Sequence, residues 1–253
     1  MHFLDRIHPE RGVGGFTKLS GTVLFYNFVK AAMARTGATK VLDFGAGRGG
    51  TLHTEMAWVR QLQDLRQLGA QVCAADIDPV VRQHPASDEQ VVLERDGPLP
   101  FADESFDVIV SDWTFEHVEK PAEIAAELLR ILRPGGYVCA RTTNRYGYIK
   151  LAASLVPNGL HTKVLESVQP DRKPEDVFPT VYKMNSVSQI RRLFPGCSVY
   201  WFRDNSEPAY FFQNGLVYRA FIALHWLLPP LFATSICFFI RKPARAAVPA
   251  QVV

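Results

Sequence analysis

The stretch that decides the fold is Val41-Leu-Asp-Phe-Gly-Ala-Gly-Arg-Gly-Gly50. An apolar run ends in an acidic residue and then in a glycine-rich turn, a pattern typical of a strand that leads into a ligand-binding loop. Glycine has no Cβ, so at positions 45, 47 and 49 the backbone can turn tightly and approach a ligand closely. The spacing of Gly45, Gly47 and Gly50 also fits the G-x-G-x-x-G pattern of dinucleotide folds. The surrounding residues must therefore decide the ligand.

Two acidic residues at strand ends narrow the choice of ligand. Asp43 stands two positions before the first glycine, where its charge would repel a pyrophosphate and attract a cationic ammonium or sulfonium group. Asp76 ends a second apolar run, residues 72–76. A carboxylate there can accept hydrogen bonds from both hydroxyls of a ribose. Together the two acids favour a cationic nucleoside ligand.

Apolar strand-like runs alternate with helical stretches between residues 20 and 142. This alternation predicts an α/β domain with a doubly wound, mostly parallel sheet and helices on both faces. The predicted strands are 40–44, 72–76, 91–94, 106–111, 137–142 and 199–202, and the main predicted helices are 20–35, 51–68, 121–132 and 185–194. Ligands of such sheets bind outside the carboxyl ends of the strands. We expect one rim to contain Asp43, Gly45, Asp76, Asp96, Asp112 and Thr142.

Four further segments follow in a defined order, at residues 99–101, 105–112, 116–118 and 128–137. Together with the glycine loop and the run that ends at Asp76, they resemble the class I S-adenosylmethionine-dependent methyltransferases. The resemblance covers roughly residues 38–142, with a weaker similarity to about residue 242. A nicotinamide oxidoreductase would require only the first two segments, so we regard that class as a minor alternative.

The resemblance implies S-adenosylmethionine as the cofactor and a Rossmann-like methyltransferase fold. Asp43 would hold the ammonium of the methionine portion through water or the backbone, and Asp76 would accept from the ribose hydroxyls. Asp96 would meet the adenine amino group, and Asp112 would border the sulfonium with Ser111 and Trp113. The residues implied to contact the cofactor are Asp43, Gly45, Gly47, Gly49, Asp76, Asp96 and Asp112.

His117 is the candidate general base for the acceptor, because it follows the fourth strand and imidazole titrates near neutral pH. The alternative is that it packs beside the cofactor without reacting. For Glu116, next to it, a solvated acid at the start of a helix is an equal alternative to a role at the site. Other residues with fitting chemistry are His161, Asp176 and Tyr182 in or beside an insertion, and Tyr26 behind the N-terminal segment, whereas His53 and His225 are expected in helix and core.

A chain of 253 residues can form one large domain but would be crowded as two. We expect a single methyltransferase domain with an N-terminal flap and helix at 1–37 and a cofactor-binding core at 38–142. An insertion at 143–183 would cap the substrate side, since long irregular loops in compact domains are often functional. Residues 184–242 would complete the sheet, and 243–253 would be a flexible tail.

Composition restricts the partners and the compartment. A net charge of +3 without a dense Lys/Arg stripe does not favour nucleic acid. The four cysteines include no C-x-x-C pair, which predicts reduced thiols, no metal site and a cytoplasmic location. The N-terminus shows no signal-peptide pattern, so no leader is expected. The oligomeric state is left open.

Residues 221–240 are mostly apolar and contain no aspartate, glutamate, lysine or arginine, with His225 as the ionisable side chain, and Arg241 and Lys242 follow them. Length and flanks permit a membrane span, but Pro229-Pro230 would break a helix at its middle. We favour a helix to about Leu228 followed by a terminal strand, 233–241, that pairs antiparallel with the sheet. Shallow peripheral membrane contact is the second alternative, which would make the protein membrane-associated.

The sequence therefore predicts an enzyme that transfers a methyl group by direct displacement to a small-molecule acceptor. An oxygen atom of a sugar, a lipid-linked glycan or another metabolite is the leading hypothesis, and the apolar C-terminal block favours an amphiphilic acceptor. A quinone-type lipid is the closest alternative within the class. A non-catalytic protein that binds S-adenosylmethionine is the alternative from a different class.

Overall fold

The computed structural model of the protein describes residues 3–49, 52, 54–95, 97–148, 180–208 and 214–245. Its described strands form one seven-stranded sheet in the order β3-β2-β1-β4-β5-β7-β6. The strands are β1 Lys40–Phe44, β2 Gln71–Asp76, β3 Glu89–Val92, β4 Phe106–Asp112, β5 Leu132–Thr143, β6 Ser198–Asp204 and β7 Ser235–Arg241. The α-helices are α1 Phe3–Ile7, α2 Arg11–Gly14, α3 Gly21–Thr36, α4 Ala57–Gln63, α5 Pro121–Ile131, α6 Val187–Leu193 and α7 Gly215–Leu227.

The first five strands are parallel, and the last two pair antiparallel. The predicted doubly wound sheet is therefore confirmed, and so is its terminal antiparallel strand. β7 lies between β5 and β6, with Arg241 opposite both Tyr137 and Ser198. The apolar block is divided as predicted into a helix and a strand. No helix among the described residues has the length and hydropathy to cross a membrane.

Successive residues of each central strand point to opposite faces of the sheet, because side chains in a strand alternate. Val41 belongs to a core cluster with residues of α3 and α4 on one face, and Leu42 belongs to a second core cluster with residues of α5 and α6 on the other. Both residues are fully buried. The two apolar faces explain why the central strands read as continuous apolar runs rather than as alternating ones.

Helix α3 begins and ends where its sequence predicts. The Oγ of Ser20 accepts a hydrogen bond from the N–H of Val23 at 3.3 Å, which satisfies one of the free donors of the first turn. Gly37 ends the helix in the left-handed conformation, at φ 61°. Helix α3 fills one face of the sheet with Phe25, Val29 and other buried side chains.

Three predicted elements differ from the structure. The helix predicted at 51–68 is α4 followed by a separate 3₁₀ turn, Leu65–Leu68, because Asp64 is extended and its carboxylate caps the N–H of Arg66 at 3.2 Å. Strand β3 begins before the predicted residue 91. Strand β5 begins at Leu132 rather than at 137, so Arg133-Pro-Gly-Gly136 lies inside the strand, beside a register shift against β4.

The structure describes part of the predicted flap, the predicted insertion and the predicted tail. The predicted flap contains a short helix, α2, which ends at Gly15 with φ 80°. Of the predicted insertion, residues 149–179 lie outside the described residues, and so do 246–253 of the predicted tail. Arg245 in the described part of that tail forms an ion pair with Glu104 at 2.6 Å. The division of the domain into functional parts stays a prediction.

The four cysteines are free, and Cys197 is the half-buried one.

Candidate cofactor and acceptor site

The glycine loop begins where β1 ends and is attached to β2. The backbone N–H groups of Gly45 and Ala46 both donate to the carbonyl of Ala75, at 2.8 and 3.3 Å. Gly45 has φ 75°, and a Cβ there would overlap the side chain of Thr114. Gly47 has φ 52°, and a Cβ there would meet only Asp76, at 4.0 Å. The loop is therefore tightly packed at its first glycine and open at its second.

Asp76 connects this loop to the end of β2. Its Oδ2 accepts from the N–H of Gly47 at 2.8 Å, and its Oδ1 accepts from the N–H of Asp78 at 2.8 Å. Each carboxylate oxygen has two acceptor sites, so both can accept one further hydroxyl. Burial raises the pKa of Asp76 above its ordinary value, and the two backbone donors partly oppose this effect. The carboxylate is thus held in one orientation at the rim.

The carboxylate of Asp43 faces an imidazole instead of a permanently charged side chain. Its Oδ2 lies 3.6 Å from Nε2 of His84, and no lysine or arginine of the described residues forms an ion pair with it. Burial raises the pKa of Asp43 to about 7, and the carboxylates of Asp112 and Asp76 raise it further. A cationic ligand would relieve this repulsion.

His84 is a residue of this site that the sequence analysis missed. It follows the 3₁₀ turn Pro79–Gln83 and is buried. Its Nδ1 lies 3.2 Å from the Oγ of Ser87. A Cβ on Gly49 would approach the His84 ring within 2.9 Å. The imidazole therefore supports the glycine loop and faces Asp43, and only the fold brings these residues together.

Asp112 lies at the carboxyl end of β4 as predicted, but Arg141 neutralises its charge. The guanidinium donates to both carboxylate oxygens at 2.6 Å; the side chain of Arg141 is buried and that of Asp112 is 10% exposed. Arg141 is paired in register with Asp112 on the neighbouring strand, and its guanidinium lies 5.1 Å from the ring centre of Trp113. The sequence analysis missed Arg141; the available signal was a charged residue inside a predicted buried strand.

Trp113 has a backbone conformation that tryptophan rarely adopts, with φ 61°. Its N–H donates to the carbonyl of Arg141 at 2.8 Å, and its side chain is partly exposed. Such strain persists only where the surrounding structure imposes it, and it is common at functional sites. Trp113 thus marks the exposed side of the rim, next to the Asp112–Arg141 pair.

Glu116 and His117 form a 3₁₀ turn with Phe115 after β4. Glu116 is buried, so the alternative of a solvated acid is wrong. The hydroxyl of Thr142 donates to its Oε2 at 2.7 Å, and the amide of Asn185 donates to that hydroxyl at 2.7 Å. Burial raises the pKa of Glu116. His117 is half-buried beside this network, at the end of β4 where we expected it.

The other sequence candidates have separate positions. Tyr182 has φ 53° and its carbonyl accepts from the side chain of Gln189 at 3.0 Å. Tyr26 is buried under the rim, and burial together with Asp112 and Asp43 raises its pKa well above the ordinary value. His225 lies on α7, with Nε2 2.7 Å from the hydroxyl of Tyr148. The candidates that lie outside the described residues are His53, Asp96, His161 and Asp176.

The charge balance of the loop and rim fits a cationic nucleoside. Asp43 and Asp76 border the glycine loop, whereas the third acid, Asp112, is compensated by Arg141. Residues 42–140 match the family model described as a methyltransferase domain. This part of the chain is a methyltransferase domain of the class I S-adenosylmethionine-dependent type. S-adenosylmethionine, whose ammonium and sulfonium are cationic, is the cofactor of this family.

Named relatives are similar to part of this chain. A ubiquinone biosynthesis O-methyltransferase of Xanthomonas oryzae pv. oryzae is 35% identical over 151 residues, 53% of this chain and 59% of the relative. A demethylmenaquinone methyltransferase of Clavibacter sepedonicus is 34% identical over 113 residues, 42% of each chain. The chain thus spans less than two thirds of the length of these relatives.

Solved structures support the fold. A methyltransferase of Haloferax volcanii, in complex with the Trm112 methyltransferase activator, superimposes with a TM-score of 0.52 at 19% sequence identity. The match covers 88% of this chain and 92% of that one. At this identity the likeness concerns the architecture of the sheet and its helices, and not the acceptor.

Proposed function

We propose that this methyltransferase moves the methyl group of S-adenosylmethionine, by direct displacement, to an oxygen atom of an amphiphilic small molecule. The observation that supports cofactor use most directly is the pair of acids, Asp43 and Asp76, beside a glycine loop with space at Gly47. A sulfonium nucleoside supplies the cation that these acids lack. The pyrophosphate of a nicotinamide dinucleotide would meet like charge instead.

In this proposal each rim residue has one binding task. The backbone at Gly45, Gly47 and Gly49 lines the methionine portion, and Asp43 holds its ammonium group. Asp76, already oriented by Gly47 and Asp78, accepts from the ribose hydroxyls. Asp96 binds the adenine amino group, and Asp112 with Trp113 borders the sulfonium side.

The cofactor supplies the reactive methyl group, so the task of the protein is to position the acceptor and exclude water. Holding two reactants in line can contribute on the order of 7 kcal/mol or more to lowering the barrier. His117 would accept the proton of the acceptor hydroxyl, because it lies in the 3₁₀ turn that follows β4 and an imidazole can act as a general base. Glu116 would be a positioning residue and not the base, because its carboxylate already accepts a hydrogen bond from the hydroxyl of Thr142.

The class of acceptor rests on weaker support than the cofactor. A sugar or lipid-linked glycan and a quinol lipid both present a hydroxyl on an amphiphilic molecule. The printed names of two relatives, which refer to ubiquinone and menaquinone, favour the quinol. The chain covers about half of each relative, so the quinol is proposed as the first acceptor to test and not as an assignment.

Calorimetric titration with S-adenosylmethionine, its demethylated product and NAD tests the cofactor. We expect micromolar binding of the first two ligands and none of NAD. The acceptor is then tested by release of the demethylated product in the presence of a short-chain quinol or a sugar lipid. Cofactor binding without turnover on either acceptor class would favour the alternative of a non-catalytic binding protein.

A further inference from the structure

Helix α7, Gly215–Leu227, is apolar on its outer side as well as its inner side. Of its 13 residues only Tyr218 is buried. The exposed fractions are 88% for Trp226, 82% for Leu227 and 76% for Leu216. A helix that is hydrophobic all round is normally covered on every side. We call the exposed residues Leu216, Leu224, Trp226, Leu227 and Leu231 the α7 ridge.

The inner side of α7 is firmly attached to the rest of the protein. The hydroxyl of Tyr218 lies 2.8 Å from Nε2 of His8, and its ring contacts Phe3 edge to face at 6.1 Å. Nearer the end of the helix, Phe221 stacks on Tyr148 at 6.4 Å. These contacts fix the rotation of the helix about its axis. The ridge is therefore held outward and cannot turn into the core.

The charge of helix α7 and of the segment around it complements an anionic surface. Between Pro208 and the C-terminus the sequence contains no aspartate or glutamate. Its basic residue near the ridge is Arg219, since Arg241, Lys242 and Arg245 lie at or beyond the far end of β7, where Lys242 donates to backbone carbonyls and Arg245 pairs with Glu104. Arg219 lies on α7 and is exposed. In the neighbouring helix α1, Asp5 is paired with Arg11 at 3.4 Å. Anionic lipid headgroups would therefore meet the ridge without repulsion from its own segment.

We propose that the α7 ridge docks the protein on a lipid bilayer, with Trp226 and Leu227 inserted among the headgroups. A helix of 13 residues is about 20 Å long, shorter than the hydrocarbon core of about 30 Å. It therefore lies in the interface and does not cross it. Tryptophan favours this depth, because its ring is apolar and its N–H can still reach water.

Two observations favour lipid over a protein partner. Side chains that are more than four-fifths exposed, such as Trp226 and Leu227, protrude from the surface instead of lining a groove. In addition, the ridge contains few hydrogen-bonding groups, whereas a protein interface uses about one hydrogen bond per 100–200 Å². Protruding apolar side chains beside one exposed arginine, Arg219, fit the fluid surface of an anionic lipid bilayer.

The inner side of α7 contacts the segment that follows β5. Tyr148 follows the carboxyl end of β5 and contacts both Phe221 and His225 of α7. A bilayer under the ridge would therefore present an amphiphilic acceptor close to the rim; this link rests on the proposed function. The docking itself involves no methyl transfer, so it can be tested separately.

Flotation with vesicles tests the docking. We expect the wild-type protein to float with vesicles of phosphatidylcholine and phosphatidylglycerol, more strongly at low salt. The double variant W226S/L227S should reduce the bound fraction at least tenfold. The matched control is Trp58→Ser, which removes a half-exposed tryptophan from α4 and should float like the wild type. Arg219→Gln should remove part of the dependence on phosphatidylglycerol.

Three results would overturn the proposal. The first is a wild-type protein that stays at the bottom of the gradient with both vesicle compositions. The second is equal flotation of W226S/L227S and the wild type. The third is a wild-type oligomer in gel filtration that the double variant dissociates while neither protein floats, since the ridge would then join two copies. An unchanged thermal midpoint and unchanged S-adenosylmethionine binding establish that the double variant is folded.

Discussion

Oδ2 of Asp43 lies 3.6 Å from Nε2 of His84, whose ring lies against the backbone position of Gly49. A strand-end carboxylate is thus opposed by an imidazole and not by a permanent cation. Burial together with the nearby carboxylates raises the pKa of Asp43 to about 7. The group is therefore half-ionised near neutral pH in the free protein, and this has consequences for both binding and stability.

The first prediction concerns Asp43→Asn. Because the folded-state pKa is raised above the ordinary value of about 3.9, the folded protein holds a proton that the unfolded chain releases. The free energy of unfolding therefore falls as pH rises from about 4 to 7. Asp43→Asn should raise it by about 1–3 kcal/mol at pH 8, and this difference should shrink as pH falls towards 4. Urea unfolding at several pH values measures it.

The same substitution should weaken binding of S-adenosylmethionine at pH 8, because the ionised carboxylate that attracts the cation is lost. In the wild type, binding should strengthen as pH rises through about 7. A variant that is destabilised at pH 8, or that binds the cofactor as tightly as the wild type, would contradict the role given to Asp43.

The second prediction concerns Asp76→Ala. This change removes the acceptor for the ribose hydroxyls and for the N–H of Gly47. We expect cofactor binding to weaken by about 1–3 kcal/mol, the cost of unmade hydrogen bonds to a charged group. Asp78→Ala is the matched control, since that carboxylate caps the N–H of Val80 at 2.9 Å. Calorimetric titration of both variants with S-adenosylmethionine tests this prediction. Equal losses of affinity in the two variants would show that Asp76 does not bind the cofactor.

The third prediction compares two glycines with nearly the same φ angle. Gly45 has φ 75° and Gly69 has φ 79°, but a Cβ on Gly69 meets nothing within 4 Å, while one on Gly45 overlaps Thr114. Gly69→Ala should cost only the left-handed strain, about 1–2 kcal/mol. Gly45→Ala should cost at least about 1 kcal/mol more, because Thr114 must also move. Chemical denaturation compares them, and similar costs would show that the loop is not tightly packed against Thr114.

The fourth prediction concerns the Asp112–Arg141 pair. Asp112→Asn leaves a buried guanidinium without its counter-charge and should cost about 3–5 kcal/mol. The double variant Asp112→Leu with Arg141→Met should recover most of that loss, because it removes both charges. Glu104→Gln, which breaks the exposed pair with Arg245, should cost no more than about 1 kcal/mol. Denaturation curves that show no recovery in the double variant would contradict this account.

The fifth prediction separates proton transfer from cofactor binding. His117→Gln should lower kcat by about 10²–10⁴-fold and leave the Kd for S-adenosylmethionine unchanged. Tyr182→Phe is the competing variant, since Tyr182 follows the insertion. If Tyr182→Phe abolishes turnover and His117→Gln does not, the general base lies on the segment after the insertion instead of at the end of β4.

The mostly parallel, doubly wound sheet and its terminal antiparallel strand could be predicted from the sequence, because buried parallel strands require continuous apolar runs that alternate with helices. Helix ends were less predictable. Asp64 was read as part of one long helix, although its carboxylate ends α4 and starts a separate turn. Because a capping residue such as Asp64 does not interrupt the amphipathic pattern, the pattern alone does not show that the helix ends there.

The rim acids were found from the sequence, but their partners were not. Asp43 and Asp76 each precede a turn, a local signal that a sequence contains. His84 and Arg141 act through contacts with residues that are distant along the chain. Whether Asp112 is a free charge or half of a buried pair depends on the register of β4 against β5. Such a register is a property of the fold.

Strand β7 is the last described strand along the chain, yet it lies inside the sheet between β5 and β6. During synthesis, β6 has no partner in the described sheet until residues 235–241 leave the ribosome. Until then β5 also exposes an unpaired edge, a template for pairing with another chain. The order of assembly thus leaves the nascent protein open to misassembly at the edge of β5, and a chain shortened before Ser235 would lose β7 and leave β6 without its partner in the described sheet.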